Sequence, residues 1–188
     1  KALVLGEVEL HKNYAIVIST NGGLWRYMIG DTVQFTSLAP YRIKITGRTK
    51  HFINAFGEEV IIDNAEQALT KACQETGAEI KDYTAGPIYF EGEKAGGHEW
   101  IIEFDKQPSD FEKFVDIMDQ TLREVNSDYD AKRFKDMALC RPKVHNAPAR
   151  TFYNWLKAKD KLGGQHKVPR LANERKYVDD ILEMMKNA

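Results

Sequence analysis

The sequence predicts an α+β protein, a β-rich segment followed by a domain in which helices pack on a sheet, and three observations carry that expectation. From Trp25 to Val60 apolar residues recur at every second position between glycines. After Asp63 the apolar spacing becomes that of a helix. Helix-spaced stripes and short apolar-alternating runs then share the rest of the chain, the pattern of helices laid on one sheet. A length of 188 residues with 43% hydrophobic content is enough for such a core.

The chain opens on Lys1 and moves directly into apolar alternation without an initiator methionine, so a piece of a longer protein is expected. Tyr14-Ala15-Ile16-Val17-Ile18 reads as a buried strand closed by Ser19-Thr20-Asn21-Gly22-Gly23. That pentad resembles a phosphate-binding loop, but a strand follows it. The helix dipole that would favour phosphate is missing, so a hairpin turn is the better reading. Trp25, Tyr27 and Ile29 alternate with Arg26 and Met28, and Val33 and Phe35 resume the alternation after Gly30-Asp31, which predicts a hairpin about that dipeptide. Tyr41, Ile43 and Ile45 repeat the pattern up to Gly47. Glycine turns are therefore expected at Gly30, Gly47 and Gly57, two of them with a charge alongside, Asp31 and Arg48. Such turns present a side chain to a ligand without burying it.

Asp63 with Glu66 has the form of a capping box, and Ala65, Ala68, Leu69, Ala72 and Cys73 line one helix face until Gly77. Cys73 is thereby read as core. Pro87–Phe90 and His98–Phe104 read as strands about a tip at Glu91–Gly97. Ser109 with Glu112 opens a second helix, whose Phe111, Phe114, Val115, Met118, Leu122 and Val125 form a core stripe rather than a cofactor face. A short helix near Tyr129–Lys135, a strand at Met137–Cys140 and a helix after Pro148 with Phe152, Trp155 and Leu156 follow. Gly163-Gly164 before Lys167, with Pro169 blocking a helix, predicts a flexible loop that projects a cation. A last helix from about Asn173 turns Tyr177, Val178, Ile181, Leu182 and Met185 inward.

Composition excludes several classes. A formal charge of -1 from 27 basic and 28 acidic residues lacks the sustained basic excess of a nucleic-acid or anionic-membrane surface. No apolar run approaches the roughly 20 residues of a membrane span, and no signal peptide is visible. Cys73 and Cys140 make neither a disulfide framework nor a metal site, which favours a reducing cytoplasm. The 5 histidines are not paired at ligand spacing, and His98-Glu99 lacks the second histidine of a zinc-protease helix. No nucleophile motif surrounds Ser19, Ser37, Ser109 or Ser127.

What remains is an ordered set: Gly23-Leu24-Trp25-Arg26-Tyr27, Gly30-Asp31, Gly47-Arg48, and Gln165-His166-Lys167-Val168-Pro169-Arg170. This order resembles the end of the adenylate-forming enzymes, and within them the auxin-responsive Gretchen Hagen family of acyl-acid amido synthetases, in a bacterial form. The likeness spans the whole chain but only the C-terminal part of such a protein. It implies residues 1–47 as the β-rich tail of a missing large N-terminal adenylation domain, 48–50 as a hinge, and 51–188 as a mobile lid domain. It also implies a two-step reaction with ATP, and Mg²⁺ on the nucleotide in the complete enzyme. A carboxylic acid is adenylated with release of pyrophosphate, and an amino acid then displaces AMP to form an amide. In that scheme Asp31 matches the aspartate on the ribose hydroxyls, Arg48 an arginine that reaches ribose or phosphates, and Lys50 the hinge residue. Lys167 matches the catalytic lysine that bridges the attacking carboxylate and the α-phosphate. The partners implied are the two substrates and the missing domain, without nucleic acid or membrane. The isolated chain should not adenylate.

Two departures stand beside the likeness. Plant members commonly carry arginine directly after the tyrosine of Tyr-x-x-Gly-Asp, where this chain has Met28. The turn Phe56-Gly57-Glu58-Glu59 resembles a loop used in the second half-reaction, with no substrate contact to assign. An acyl-CoA synthetase fragment and a non-enzymatic α+β binding domain remain as alternatives.

Overall fold

In the computed structural model, which describes residues 2–49, 51–90, 95–134, 138–163 and 166–187, the chain opens with a three-stranded antiparallel meander. Its strands are β1 (Asn13–Ile18), β2 (Tyr27–Leu38) and β3 (Tyr41–Arg48). Phe35 of β2 is held edge-on between the rings of Tyr14 and Tyr41, with centroids 5.9 and 6.1 Å away.

Two expectations fail here, each for its own reason. The run Tyr14–Ile18 is not buried: β1 is an edge strand that pairs, among the described residues, with β2 alone, so its residues alternate between exposed and half-buried. Gly30-Asp31 is not a turn either. Both residues lie inside the continuous strand β2, where Gly30 bends the backbone with φ 91°, and the reversal falls at Ala39-Pro40. A glycine at positive φ kinks a strand without the Cβ clash that would otherwise break it. Gly47 likewise lies within β3.

β4 (Phe52–Ile53) and β5 (Val60–Ile61) close a loop about Gly57, which does turn as expected. α1 (Ile62–Thr76) starts directly afterwards and ends at Gly77 in the left-handed conformation. Its cap is Asn64, whose Oδ1 accepts from the Ile61 amide at 3.1 Å. Asp63 is instead turned out to the Lys44 ammonium, 2.5 Å away on β3. In the next helix the cap lies one residue beyond the expected one: Asp110, not Ser109, accepts from the Lys113 amide and caps α2 (Phe111–Val125).

The main sheet has the order β6 (Glu79–Ile88), β7 (Gly97–Lys106), β8 (Lys143–Ala147), with β6/β7 antiparallel and β7/β8 parallel. Helices cover both of its faces. On one, Ala68, Leu69 and Ala72 of α1 and Phe114, Met118 and Leu122 of α2 pack on Tyr83, Trp100 and Ile102. The short α3 (Ser127–Arg133) adds Tyr129 to that side, and Cys73 is half-buried against it. On the other face, Phe152 and Trp155 of α4 (Thr151–Ala158) and Val178 and Ile181 of α5 (Lys176–Lys186) enclose Ile101.

The strand expected at Met137–Cys140 reduces, among the described residues, to one bridge between Leu139 and Gly96; the third strand is β8. β6 also begins well before Pro87, and Tyr89 and Phe90 lie beyond its end. The segment after Lys167 is pinned rather than free. The Ala85 amide donates to the Arg170 carbonyl at 2.9 Å, the Ala172 amide to the Ala85 carbonyl at 3.0 Å, and the Thr84 hydroxyl to the Pro169 carbonyl at 2.7 Å. Val168 and Leu171 are buried by this seating.

Candidate functional site

Asp31 and Arg48 face each other in the register of β2 and β3, and Arg48 Nε lies 3.1 Å from Asp31 Oδ1. Gly30 is required by its φ of 91° rather than by space, since a Cβ there would stand 3.6 Å from the Arg48 guanidinium, an ordinary contact. The Thr49 amide donates to the Gly30 carbonyl at 2.8 Å and fixes the end of β3. The side chains are 34% and 53% exposed, so both remain available to a ligand.

Immediately past this pair the chain forms one wall of a groove of about 430 Å³. Thr49, His51 and Phe52 line it here, and Pro169, Ala172, Asn173, Glu174 and Tyr177 complete its lining. Asn173 ties the segments together: its Oδ1 accepts from the Asn54 amide at 2.9 Å and its carbonyl from the Tyr89 hydroxyl at 2.9 Å. His51 is half-buried, and burial pushes its imidazole below the ordinary histidine value, with the Arg48 charge pushing the same way.

Lys167 is exposed and lies beside β6, where its charge acts on Asp82. Burial pushes that carboxyl up, while the Tyr83 amide and the charges of Arg170 and Lys167 pull it back. Lys50 lies outside the described residues. The fold therefore pairs Asp31 with Arg48, and the segments that follow Arg48 and Lys167 line one groove together.

Two buried carboxylates brace these segments, and neither is legible in the sequence. Glu58, fully buried, accepts from the Ala55 and Phe56 amides and meets His98 Nε2 at 2.9 Å. Burial alone would push its carboxyl up, but the bonds from His98 and from the backbone outweigh that and hold it below the usual carboxylate range. The Phe56-Gly57-Glu58-Glu59 turn is thus folded about its own side chain. On the other face Glu99 is surrounded by Lys143 Nζ at 2.8 Å, His145 Nε2 at 2.7 Å and Arg175 Nη2 at 2.7 Å. Burial opposes ionisation there too, yet these three donors bring its carboxyl down to about 2. Arg175 precedes α5, so Glu99 fixes where Glu174 and Tyr177 meet the groove. Among the described residues no cluster of three His, Cys, Asp or Glu could hold a metal ion.

Residues 63–176 match the GH3 family C-terminal domain, and residues 1–48 match the GH3 family central domain. The chain belongs to the GH3 family. Among curated GH3 proteins it is 26% identical over 180 residues to the indole-3-acetic acid-amido synthetase GH3.3 of Arabidopsis thaliana, a match over 88% of this chain and 30% of that protein. Among solved structures, the GH3.15 acyl acid amido synthetase superposes with a TM-score of 0.69 at 18% identity, over 95% of this chain and 34% of that one. A second structure of AtGH3.15, in complex with 2,4-DB, gives 0.68 at 20% identity. These superpositions agree with the α+β fold. The chain spans about a third of the length of the GH3 proteins it matches.

Proposed function

We propose that this GH3 chain is the C-terminal part of an ATP-dependent ligase that adenylates a carboxylic acid and joins it to an amino acid as an amide. The observation that carries the reading is the Asp31–Arg48 pair, set in register across β2 and β3 inside a chain of GH3 sequence. Asp31 accepts from the two ribose hydroxyls of ATP, a bidentate role suited to a half-exposed carboxylate with one guanidinium contact. Arg48 turns its remaining donors to the phosphates. Mg²⁺ would accompany the nucleotide and neutralise its phosphates; among the described residues no cluster of three His, Cys, Asp or Glu side chains is placed to hold it.

In this reading residues 1–47 are the tail of a large adenylation domain, 48–50 with Lys50 are the hinge, and 51–188 are the lid. Lys167, now beside Asp82, reaches the α-phosphate when the lid turns about that hinge. Two unit charges about 4 Å apart at an effective dielectric near 20 interact by roughly 4 kcal/mol, so one lysine strongly favours the crowded anionic transition state of adenylation. Met28, where plant members carry arginine, supports a bacterial source. Among the described residues no helix is long and apolar enough to cross a membrane, and Cys73 and Cys140 are free thiols, which suits the cytoplasm.

The test is amino-acid-dependent release of pyrophosphate from ATP by the full-length protein over a panel of acyl acids. Release that needs both an acid and an amino acid, and that Lys167→Ala abolishes, is the expected result. Release that needs coenzyme A in place of the amino acid would make the protein an acyl-CoA synthetase.

A further inference from the structure

The groove beyond Arg48 is built from groups that a nucleophilic amine requires. An amino acid arrives as an ammonium, and no lone pair is available for attack until a proton has left. The groove is lined by a carboxylate, Glu174, and by an imidazole, His51. It opens directly from the strand end that carries Arg48: the His51 amide donates to the Arg48 carbonyl at 3.2 Å, and the two residues bridge in antiparallel fashion.

Building on the ligase reading, we propose that this groove admits the acceptor amine and that His51 is the general base that deprotonates it. Glu174 receives the incoming ammonium as an ion pair. His51 then takes one of its protons, the freed nitrogen attacks the carbonyl carbon of the acyl-adenylate, and a C–N bond forms. The carbon–oxygen bond to the phosphate breaks, AMP leaves with that electron pair, and the second nitrogen proton passes to solvent. No oxidant, reductant or further co-reactant is needed.

His51 is suited to this task by its surroundings. Burial and the Arg48 charge both favour its neutral form, so the imidazole offers an open lone pair, and the same two effects oppose the imidazolium, so His51 passes the proton on to solvent rather than keeping it. The titratable groups that line the groove with it are Glu174 and Tyr177, and Arg48 lies beside it at the end of β3.

The test separates the two half-reactions in the full-length protein, with indole-3-acetate as the first acid of the panel. Three readouts are taken for wild type, His51→Ala and His51→Gln: acid-dependent pyrophosphate exchange, amide formation with amino acids, and hydroxamate formation with hydroxylamine. Hydroxylamine is largely unprotonated at neutral pH and needs no base. The expected result is unchanged exchange, unchanged hydroxamate formation, and amide formation reduced about 10²-fold at pH 7. That deficit should shrink as the pH rises toward the pKa of the amino acid.

Equal losses with amino acids and hydroxylamine, or a deficit that does not change with pH, would overturn the role of His51. Unchanged amide formation would overturn it as well. Absence of acid-dependent exchange in the wild type would instead overturn the ligase reading, and this proposal with it.

Discussion

Asp31 and Arg48 are both part exposed, and an ion pair in that setting contributes only about 0–1 kcal/mol to folding. Asp31→Asn should therefore leave the melting temperature of the full-length protein nearly unchanged. Hydrogen bonds to a charged acceptor contribute about 1.5–3 kcal/mol each, so the same substitution should raise KM for ATP about tenfold or more. A lowered melting temperature with KM unmoved would make the pair structural. Glu99 behaves in the opposite way, because it is buried and its partners surround it. Its carboxyl goes from 4.5 in the unfolded chain to about 2 in the fold. A depressed value gives stability that is full above pH 4.5 and is lost as the pH falls toward 2. The difference corresponds to about 3 kcal/mol, less what solvent screens at the exposed Lys143. Acid unfolding of Glu99→Gln should accordingly be less steep between pH 4.5 and 2, with Glu58 still contributing, as circular dichroism would record.

At the scale of elements, the seat of the 168–172 segment on β6 rests on three hydrogen bonds, one of them from a side chain, Thr84. Thr84→Val removes that donor at the cost of roughly 1 kcal/mol, and should speed amide exchange at Ala85 and Ala172 without altering the distant α2 amides. Unchanged exchange would mean that the backbone bonds suffice. Elements with one-sided apolar spacing were legible in advance: α2 from Phe114, Met118 and Leu122, and α5 from Val178 and Ile181. Elements whose polar residues find buried partners were not. β8 offers Lys143 and His145, and both are spent on Glu99, so its sequence carries no strand-like alternation. Gly30-Asp31 has the composition of a turn, but the register of β1 and β3 on either side overrides it. The expected caps shifted because other side chains took the role: Asn64 reaches back to the Ile61 amide while Asp63 pairs with Lys44, and Asp110 replaces Ser109. Asp31 and Arg48 stood out beside their glycines, whereas His51 is a lone histidine whose neighbours appear only once the groove is folded.

Over the whole molecule, burial is divided unevenly between the two parts that the fold joins. Every residue of the two apolar cores lies between Ile53 and Met185. The β1–β3 sheet adds only Val33 and Phe35 as buried apolar residues; Val17 and Met28, with Leu3 before the sheet, are exposed around a hollow of about 670 Å³, and Ile43 and Ile45 are exposed elsewhere on the sheet. What ties it to α1 is the Lys44–Asp63 ion pair and the approach of Gly47 to Ile62. An exposed pair of that kind is a weak tether. Residues 51–188 expressed alone should therefore unfold in one cooperative transition close to that of the 188-residue chain. The longer chain should bind more of the dye 1-anilinonaphthalene-8-sulfonate, because its open apolar face belongs to the sheet that the shorter piece lacks. Calorimetry on both pieces decides the matter. If 51–188 fails to fold by itself, β1–β3 belongs to the lid's own core and the hinge cannot lie at 48–50; if it folds with equal stability, a hinge at that place costs the lid nothing when it turns.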